Sequence, residues 1–177
     1  MRVIAGAFGG RALVAPRGRA TRPTSDRVRE ALFSVLADVH GDRVLDLYAG
    51  SGALAIEALS RGAAQATLVD SSGAAVAAIR RNLQALGIEA EVVRQTASAF
   101  LERARNGARQ YDLVFIDPPY RRASSLGPQL TAALAPVLAT GARVIAESDR
   151  RNPLELEQGL LDERRYGDTL IQIYGSR

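Results

Sequence analysis

From residue 43 onward, short β-prone segments alternate with segments of helical periodicity, and this alternation restricts the fold more than any other feature of the sequence. Strands are predicted at 43–47, 66–70, 90–95, 112–117 and 142–148, and helices at 53–61, 73–86, 98–105 and 125–138. Helical crossovers join strands that run in the same direction, so the pattern predicts an α/β fold with a mostly parallel sheet and helices on both faces. The β-prone tail at 164–175, which turns at Gly167, predicts a closing strand or hairpin.

The first 42 residues are organised differently. Two short strands are predicted within residues 2–15, around a glycine-rich turn at 7–10, and together they would form a β-hairpin. Residues 16–23 follow as a basic linker with a proline at each end, and apolar residues at helical spacing predict a helix from about residue 24 to Val39. We therefore expect an N-terminal extension over residues 1–23 and a main domain over residues 24–177.

The basic residues of the chain are all arginine. There are 23 of them, with no lysine, and the net charge is +4. The first 30 residues contain two acids and a larger set of arginines, at positions 2, 11, 17, 19, 22, 27 and 29. A local excess of this kind favours a polyanionic partner, although a solvated arm would have the same composition.

Several classes of protein are disfavoured by what the sequence lacks. It contains no cysteine and one histidine, so neither a disulfide framework nor a zinc site is expected, and we predict no bound metal. No apolar run approaches the ~20 residues that a membrane span needs, and the start of the chain has no apolar signal core. These features predict a cytoplasmic protein.

Acidic residues stand at or near the ends of three predicted strands. Asp46 lies in the first, Asp70 ends the second and Asp117 ends the fourth. Open parallel sheets bind ligands beyond the carboxyl ends of their strands, so these acids are predicted to lie along one rim. Between Asp46 and the next helix, Gly50 and Gly52 would let the backbone and the helical N–H groups approach a ligand.

Residues Gly50 to Ala55 also match the G-x-G-x-x-A fingerprint of dinucleotide sites, with Asp70 placed as that fingerprint requires. A dehydrogenase is therefore one interpretation. Asp46 argues against it, because its charge would repel a pyrophosphate and would suit a cationic ligand. S-adenosylmethionine meets this requirement, since its ammonium and sulfonium groups are positive and its ribose hydroxyls could bind Asp70.

The segment FIDPPY at 115–120 ends an apolar strand with an acid, two prolines and an aromatic ring. Pro118 has no N–H, and Pro119 holds Pro118 in an extended shape, so the Asp117 carboxylate and the Pro118 carbonyl would form a rigid pair of acceptors. Tyr120 adds a flat surface on which a base can stack. An ordinary strand-ending turn is the alternative, but the combination predicts a site for the planar amino group of an aromatic base.

These motifs resemble those of a known family. DPPY at 117–120 resembles the motif of amino-group methyltransferases, and DLYAGSGALAIEAL at 46–59 resembles their cofactor-binding motif. The block RPTSDRVREALF at 22–33, with the hairpin ahead of it, is similar to the bacterial family that methylates N2 of one guanine in 16S ribosomal RNA, the guanine-966 type. The resemblance extends from residue 2 to the C-terminus. It implies a Rossmann-like class I methyltransferase fold with a seven-stranded sheet and an N-terminal β-hairpin.

The resemblance also implies roles for individual residues. The cofactor would be S-adenosyl-L-methionine, with contacts from Arg22, Thr24, Asp46, Tyr48, Ala49, Gly50, Ser51, Gly52, Asp70, Ser71, Thr96 and Ala97. The guanine amine would be held by Asp117, Pro118, Pro119 and Tyr120, and RNA would be bound by Arg2, Arg11, Arg17, Arg19, Arg121 and Arg122. Thr96 departs from the family, in which many members have Asp or Asn. The implied partner is 16S ribosomal RNA within a small-subunit particle that contains ribosomal proteins, and the implied state is a monomer.

The Asp117 carboxylate and the Pro118 carbonyl together form what we call the acceptor edge, and other interpretations of it stay open. Enzymes that methylate adenine or cytosine in DNA, or glutamine amides in proteins, use the same edge. Those enzymes usually begin the motif with Asn, whereas this chain has Asp117, and its 177 residues leave little room for the recognition domain of most DNA enzymes. A non-catalytic RNA-binding domain of the same fold is a further alternative.

Overall fold

The computed structural model describes residues 1–16, 25–36, 38–118 and 123–175. Its helices are α1 (Asp26–Leu36), α2 (Ala53–Ser60), α3 (Gly73–Leu86), α4 (Ala97–Asn106) and α5 (Ala123–Leu134), and a short 3-10 helix covers Ala135–Val137. The strands are β1 (Arg43–Leu47), β2 (Gln65–Val69), β3 (Glu91–Val93), β4 (Tyr111–Ile116), β5 (Leu138–Asp149), β6 (Gly159–Tyr166) and β7 (Thr169–Gly175). None of the helices in these ranges is long and apolar enough to cross a membrane.

The strands form one sheet in the order β3-β2-β1-β4-β5-β7-β6. β1 pairs in parallel with β2 and β4, β2 with β3, and β4 with β5. β7 runs antiparallel to both β5 and β6. The predicted mostly parallel, seven-stranded sheet is therefore confirmed. Its order reverses between β1 and β4, and such a switch point is where open α/β sheets bind their ligands.

Helices cover both faces of the sheet. One buried cluster joins α1, α2 and α3 to sheet residues that include Val44, Leu68 and Phe115. The other joins α4 and α5 to sheet residues that include Leu45 and Val114. Neighbouring residues of β1 and of β4 thus point to opposite faces, as the alternation of side chains along a strand requires.

Several boundaries differ from the predictions. α1 ends at Leu36 and not at Val39. α5 ends at Leu134 and not at residue 138, since Pro136 in the 3-10 helix cannot donate the N–H that another α-helical turn needs. β5 consequently begins earlier than residue 142. The sequence predicts β6 only near its end, because its residues are mostly exposed and do not alternate between apolar and polar as in a half-buried strand.

The N-terminal segment is hairpin-like but shorter than the two strands predicted for residues 2–15. A single antiparallel bridge joins Arg2 to Ala12 within the described part of this segment. Val3 and Leu13 are buried in the cluster with α1, α2 and α3. The segment is therefore packed into the main body of the protein. Most of the linker at 16–23 lies outside the described residues, so the domain boundary at residue 23 stays a prediction.

Glu57 of α2 anchors the N-terminal segment. Its fully buried carboxylate accepts hydrogen bonds from the N–H groups of Ile4 at 2.7 Å and Ala5 at 3.0 Å. The next residue, Gly6, has a φ of 81°, and a Cβ atom there would lie 1.8 Å from the carbonyl oxygen of Ser60. Only glycine lets the backbone approach the end of α2 this closely.

Candidate active site

Three of the predicted site residues follow neighbouring strands. In the registers of the sheet, the last residue of β1 is level with the last residues of β2 and β4. The next residues along the chain are Tyr48, Asp70 and Asp117. They stand at the switch point between β1 and β4, so the rim predicted from the sequence is present.

The loop between β1 and α2 has a backbone conformation that few residues adopt. Tyr48, Gly50 and Gly52 have positive φ angles of 62°, 57° and 77°. For a tyrosine this angle is unfavourable, and backbone strain of this kind concentrates at functional sites. The turn is closed by a hydrogen bond of 2.7 Å from the N–H of Gly52 to the carbonyl of Ala49.

Gly52 is required by packing as well as by its φ angle. A Cβ atom at this position would lie 2.7 Å from Cδ2 of Leu68 and 3.3 Å from Cγ1 of Ile79. Both of those side chains are fully buried, so neither has free space to move into. The backbone of the loop therefore rests directly on the core.

Asp70 is almost fully buried and anchors the loop. Its Oδ2 accepts a hydrogen bond from the N–H of Gly50 at 3.0 Å, and its Oδ1 accepts one from the N–H of Ser72 at 2.8 Å. A carboxylate can accept about four hydrogen bonds, so the Asp70 side chain can support the loop and also bind a ligand.

Asp46 lies beneath the loop and is 2% exposed. Its Oδ2 accepts a hydrogen bond of 3.3 Å from the N–H of Ala55, in the first turn of α2. Burial raises the pKa of Asp46 to about 7, opposed by the hydrogen bond from Ala55 and assisted by the nearby carboxylate of Asp70. A cation bound at the loop would favour the ionised form of this carboxyl group.

A cavity of about 330 Å³ opens between the strand ends and helices α4 and α5. Among the predicted cofactor residues, its wall includes Tyr48, Asp70, Ser71, Thr96 and Ala97. Burial raises the pKa of the Tyr48 hydroxyl in this wall. The remaining described members of the predicted set are not among the residues of this wall: Asp46 lies in β1, and the others form the loop, Ala49, Gly50, Ser51 and Gly52.

The sequence analysis did not identify the other residues of the wall. They are Val69, Gln95, Ser98, Leu101, Leu126, Gln129, Leu130 and Ala133. Gln95 could have been found, because it follows β3 at the same rim. The residues that α5 adds to the wall could not have been found from the sequence, because their position depends on how that helix packs against α4. The wall combines polar groups with an apolar surface, as sites for small molecules with a ring usually do.

Gln95 and Thr96 have different roles in this wall. The hydroxyl of Thr96 accepts a hydrogen bond of 3.3 Å from the N–H of Ala99 and caps the start of α4. Oε1 of Gln95 is buried and has no hydrogen-bond partner among the described residues. Unpaired buried acceptors are rare and unfavourable, so this atom suits an N–H group of a ligand.

Asp117 and Pro118 are the described residues of the DPPY segment. Asp117 is half-buried and Pro118 is buried, directly after β4. The other residues with predicted roles lie outside the described ranges, and their roles stay predictions: Pro119, Tyr120, Arg121, Arg122, Arg17, Arg19, Arg22 and Thr24.

The N-terminal arginines that the structure describes differ in their exposure and their partners. Arg2 is exposed and its Nε lies 3.6 Å from Oδ2 of Asp26. Arg11 donates a hydrogen bond of 3.2 Å to the carbonyl of Ala85. Arg29 is fully buried and donates to Asp26 and to the carbonyl of Arg2. The sequence analysis counted Arg29 among the arginines that favour a polyanionic partner. That inclusion is wrong, because the guanidinium of Arg29 is enclosed by the protein.

Asn82 of α3 connects the N-terminal segment to the loop. Its Nδ2 donates to the carbonyls of Val14 at 3.0 Å and Ser51 at 2.9 Å, and its Oδ1 accepts from the N–H of Val14 at 2.8 Å. The hydroxyl of Ser51 also lies 3.6 Å from Sδ of Met1. The hairpin-like segment and the loop are thus parts of one packed unit.

A family model called conserved hypothetical protein 95 matches residues 1–175. The chain belongs to this family. One relative, from Haemophilus influenzae, is named ribosomal RNA small subunit methyltransferase D. It is 34% identical over 182 residues, which cover 98% of this chain and 93% of the relative. The family resemblance found in the sequence is confirmed.

Solved structures agree with the fold. Hypothetical protein TTHA0928 of Thermus thermophilus superposes with a TM-score of 0.86 at 29% identity, over 99% of both chains. A 16S rRNA N2 G1207 methyltransferase of T. thermophilus, in complex with AdoMet and guanosine, has a TM-score of 0.72 at 22% identity, over 92% of this chain and 45% of that one. The second likeness shows a shared fold, and the predicted Rossmann-like methyltransferase fold is confirmed.

Proposed function

We propose that the protein uses S-adenosyl-L-methionine to methylate the exocyclic N2 amine of a guanine, of the 966 type, in 16S ribosomal RNA. The position of Asp117 carries this proposal, because it follows β4 beside the loop after β1 and the cavity at the end of β2. The acceptor edge, which could bind an amino group, thus adjoins the cavity, whose mixture of polar and apolar residues suits a nucleoside. The relative named as a ribosomal RNA methyltransferase points to RNA as the carrier of the amine.

The described residues fit S-adenosylmethionine at three points. Asp70 offers carboxylate oxygens to the ribose hydroxyls, and Gln95 offers its unpaired Oε1 to the amine of the adenine. Asp46 places a buried carboxyl group beneath the loop, where the positive methionine end would bind. When bound, the cofactor supplies an electrophilic methyl group attached to a sulfonium.

Asp117 and Pro118 would hold and orient the guanine amine. The lone pair of N2 is delocalised into the ring, so the amine is a poor nucleophile. Two acceptors that bind its N–H groups favour a more tetrahedral nitrogen and direct the lone pair toward the methyl group. Asp117 can accept the proton that the nitrogen releases, and it need not be a strong base because the alkylated nitrogen is acidic. Tyr120 would stack on the base, which must leave its own stack to reach this edge.

The RNA would extend from this edge over the N-terminal side of the protein. The side chain of Arg2 is 66% exposed and is available to a phosphate. The other predicted contacts, on the linker and after the DPPY motif, are Arg17, Arg19, Arg121 and Arg122, with Arg11 on the hairpin-like segment. We propose that a monomer acts on 16S ribosomal RNA within a small-subunit particle that contains ribosomal proteins.

A methyl-transfer assay with identification of the labelled nucleoside tests the proposal. Purified protein and labelled S-adenosylmethionine are offered unmethylated small ribosomal subunits, bare 16S ribosomal RNA and DNA. We expect labelled N2-methylguanosine from the RNA. Asp117→Ala should abolish transfer and leave the affinity for the cofactor nearly unchanged, because Asp117 contacts the amine.

The other outcomes of the assay identify which part of the proposal fails. Label in methyladenine or methylcytosine of DNA, or in a protein glutamine, would overturn the substrate while keeping the chemistry of the acceptor edge. Equal loss of transfer and cofactor binding in Asp117→Ala would contradict the separate roles of Asp117 and the cavity.

A further inference from the structure

The arginines of the described residues fall into two groups. Most of them lie within 3.8 Å of a carboxylate oxygen. Within the described ranges, Arg11, Arg27, Arg80, Arg81, Arg94 and Arg105 have no such ion pair. Unpaired guanidinium groups keep their full positive potential, so their positions indicate where an anion would be attracted.

Four of the unpaired arginines belong to one surface. Arg80 and Arg81 are exposed on α3. Arg11 donates to a carbonyl in the last turn of α3. Arg94 lies at the other end of the helix, where its Cζ would be 3.3 Å from a Cβ atom built on the first residue of α3. We call Arg11, Arg80, Arg81 and Arg94 the α3 basic stripe.

The exposed side of α3 gives a polyanion room to approach. Ala74, Ala77, Arg80 and Gln84 are exposed and spaced by three or four residues, so they share one side of the helix. No acidic residue occurs in α3. Its 14 residues make a surface roughly 20 Å long, which is long enough for several phosphates. The absence of a large apolar residue from this side argues against a protein partner, whose interface core would need one.

We propose that the α3 basic stripe binds phosphates of the RNA that flank the target nucleotide. α3 begins shortly after Asp70 and Ser71, which line the cavity, and ends beside the hairpin-like segment. The stripe therefore forms a continuous path from the predicted N-terminal RNA contacts to the rim of the site. Arginine is suited to this because its planar fork binds two phosphate oxygens together. The inference rests on the proposed function and extends the RNA surface to residues that the sequence motifs do not include.

The test compares two variants that remove the same number of positive charges. The first combines Arg80→Gln, Arg81→Gln and Arg94→Gln. The control combines Arg103→Gln, Arg105→Gln and Arg109→Gln, which are exposed at the end of α4 and just after it, at the edge of the sheet opposite the site. Arg11 is kept in both because it is bonded to the end of α3. Binding to transcribed 16S ribosomal RNA is measured across a series of salt concentrations.

We expect the stripe variant to bind RNA more weakly than the control. The slope of log K against log salt should fall in magnitude by about 2, because each phosphate contact to a single strand contributes roughly 0.7. The control should keep the slope of the parent protein. Both variants should keep the thermal midpoint and the affinity for S-adenosylhomocysteine of the parent, which separates lost RNA contacts from damage to the fold.

An unchanged slope in the stripe variant, or an equal change in the two variants, would overturn the inference. If the parent still forms N2-methylguanosine in RNA, the proposed function survives that result. A parent protein that neither binds nor methylates RNA would overturn both.

Discussion

At the side of the cavity where we propose that adenine binds, two adjacent residues differ in whether their side-chain acceptors already have a partner. Thr96 stands where many related enzymes have Asp or Asn, and its hydroxyl caps α4 through the N–H of Ala99. Gln95, one position earlier, has the buried acceptor that no described residue pairs. The ring amine of a bound adenine would satisfy that acceptor, so Gln95 is the residue we expect to select adenine.

Gln95→Leu should therefore weaken the binding of S-adenosylhomocysteine about fivefold to tenfold, since a neutral hydrogen bond contributes ~1 kcal/mol. The loss should disappear for the analogue that has hypoxanthine in place of adenine, because that ring has no amine. Titration calorimetry measures both. Thr96→Val is the matched control: it should lower the free energy of unfolding by ~1 kcal/mol through loss of the cap and change affinity less. The reverse pattern would assign the adenine contact to Thr96.

We expect Asp46 to make cofactor binding depend on pH. Its pKa of about 7 means that much of it is protonated in the ligand-free protein near neutral pH. A cationic ligand favours the ionised form, so the affinity for S-adenosylmethionine should rise from about pH 6 to about pH 8, by up to tenfold per unit below the pKa. Calorimetry in buffers of different ionisation enthalpy should detect the released proton. Asp46→Asn should remove the pH dependence, and a pH-dependent variant would contradict this role.

The same pKa fixes the sign of a stability effect. The folded-state pKa of Asp46 lies above its ordinary value of 3.8, so between those pH values the folded protein holds a proton that the unfolded chain has lost. The contribution of Asp46 to the free energy of unfolding therefore falls as the pH rises from about 4 to about 7. Denaturant titrations of the ligand-free protein and of Asp46→Asn should differ in this range.

At the scale of elements, Asn82 makes the loop after β1 dependent on the N-terminal segment. Asn82→Ala would leave the carbonyl of Ser51 and both backbone groups of Val14 without their partner. The bond to the Ser51 carbonyl is buried, and a buried group that loses its partner costs about 1–3 kcal/mol. Val14 is exposed, so its backbone groups can bond to water instead. We expect a lower free energy of unfolding and weaker cofactor binding, since the loop loses its support. Gln84→Ala, an exposed change on the same helix, should alter neither, and an equal effect of the two substitutions would contradict the connection.

Elements with a strong apolar period are predictable from the sequence. The predicted bounds of β1 and α3 agree with the structure, because buried apolar positions define them and glycine follows α3. β6 is largely missed because it is an edge strand with a polar sequence, and β7 is its one strand partner in the described sheet. The turn at Gly167 allows a hairpin to be predicted, but no apolar alternation in residues 159–163 indicates that the first strand of that hairpin begins at Gly159.

At the scale of the whole molecule, the position of the acids along one rim could be predicted because parallel strands all end at the same edge. The attachment of the N-terminal segment could not, since it depends on contacts between distant parts of the chain. Glu57 was the available signal: it is an acid within the apolar helix ALAIEALS, and it is fully buried. A buried carboxylate needs partners, but the sequence does not say that Ile4 and Ala5 supply them.

The attachment of the first residues has a consequence for the order in which the chain assembles during translation. Ile4 bonds to Glu57, 53 residues later in the chain, and Val14 bonds to Asn82, 68 residues later. At about 5–20 residues per second, the ribosome needs several seconds to supply those partners. The first segment to emerge must therefore wait, unattached, until α2 and α3 have been made. A nascent chain stalled between Glu57 and Asn82 would have only one of the two anchors of its N-terminus, and the loop would still lack the support of Asn82. The ligand site can therefore form only after the middle of the chain has been made and has packed against its beginning.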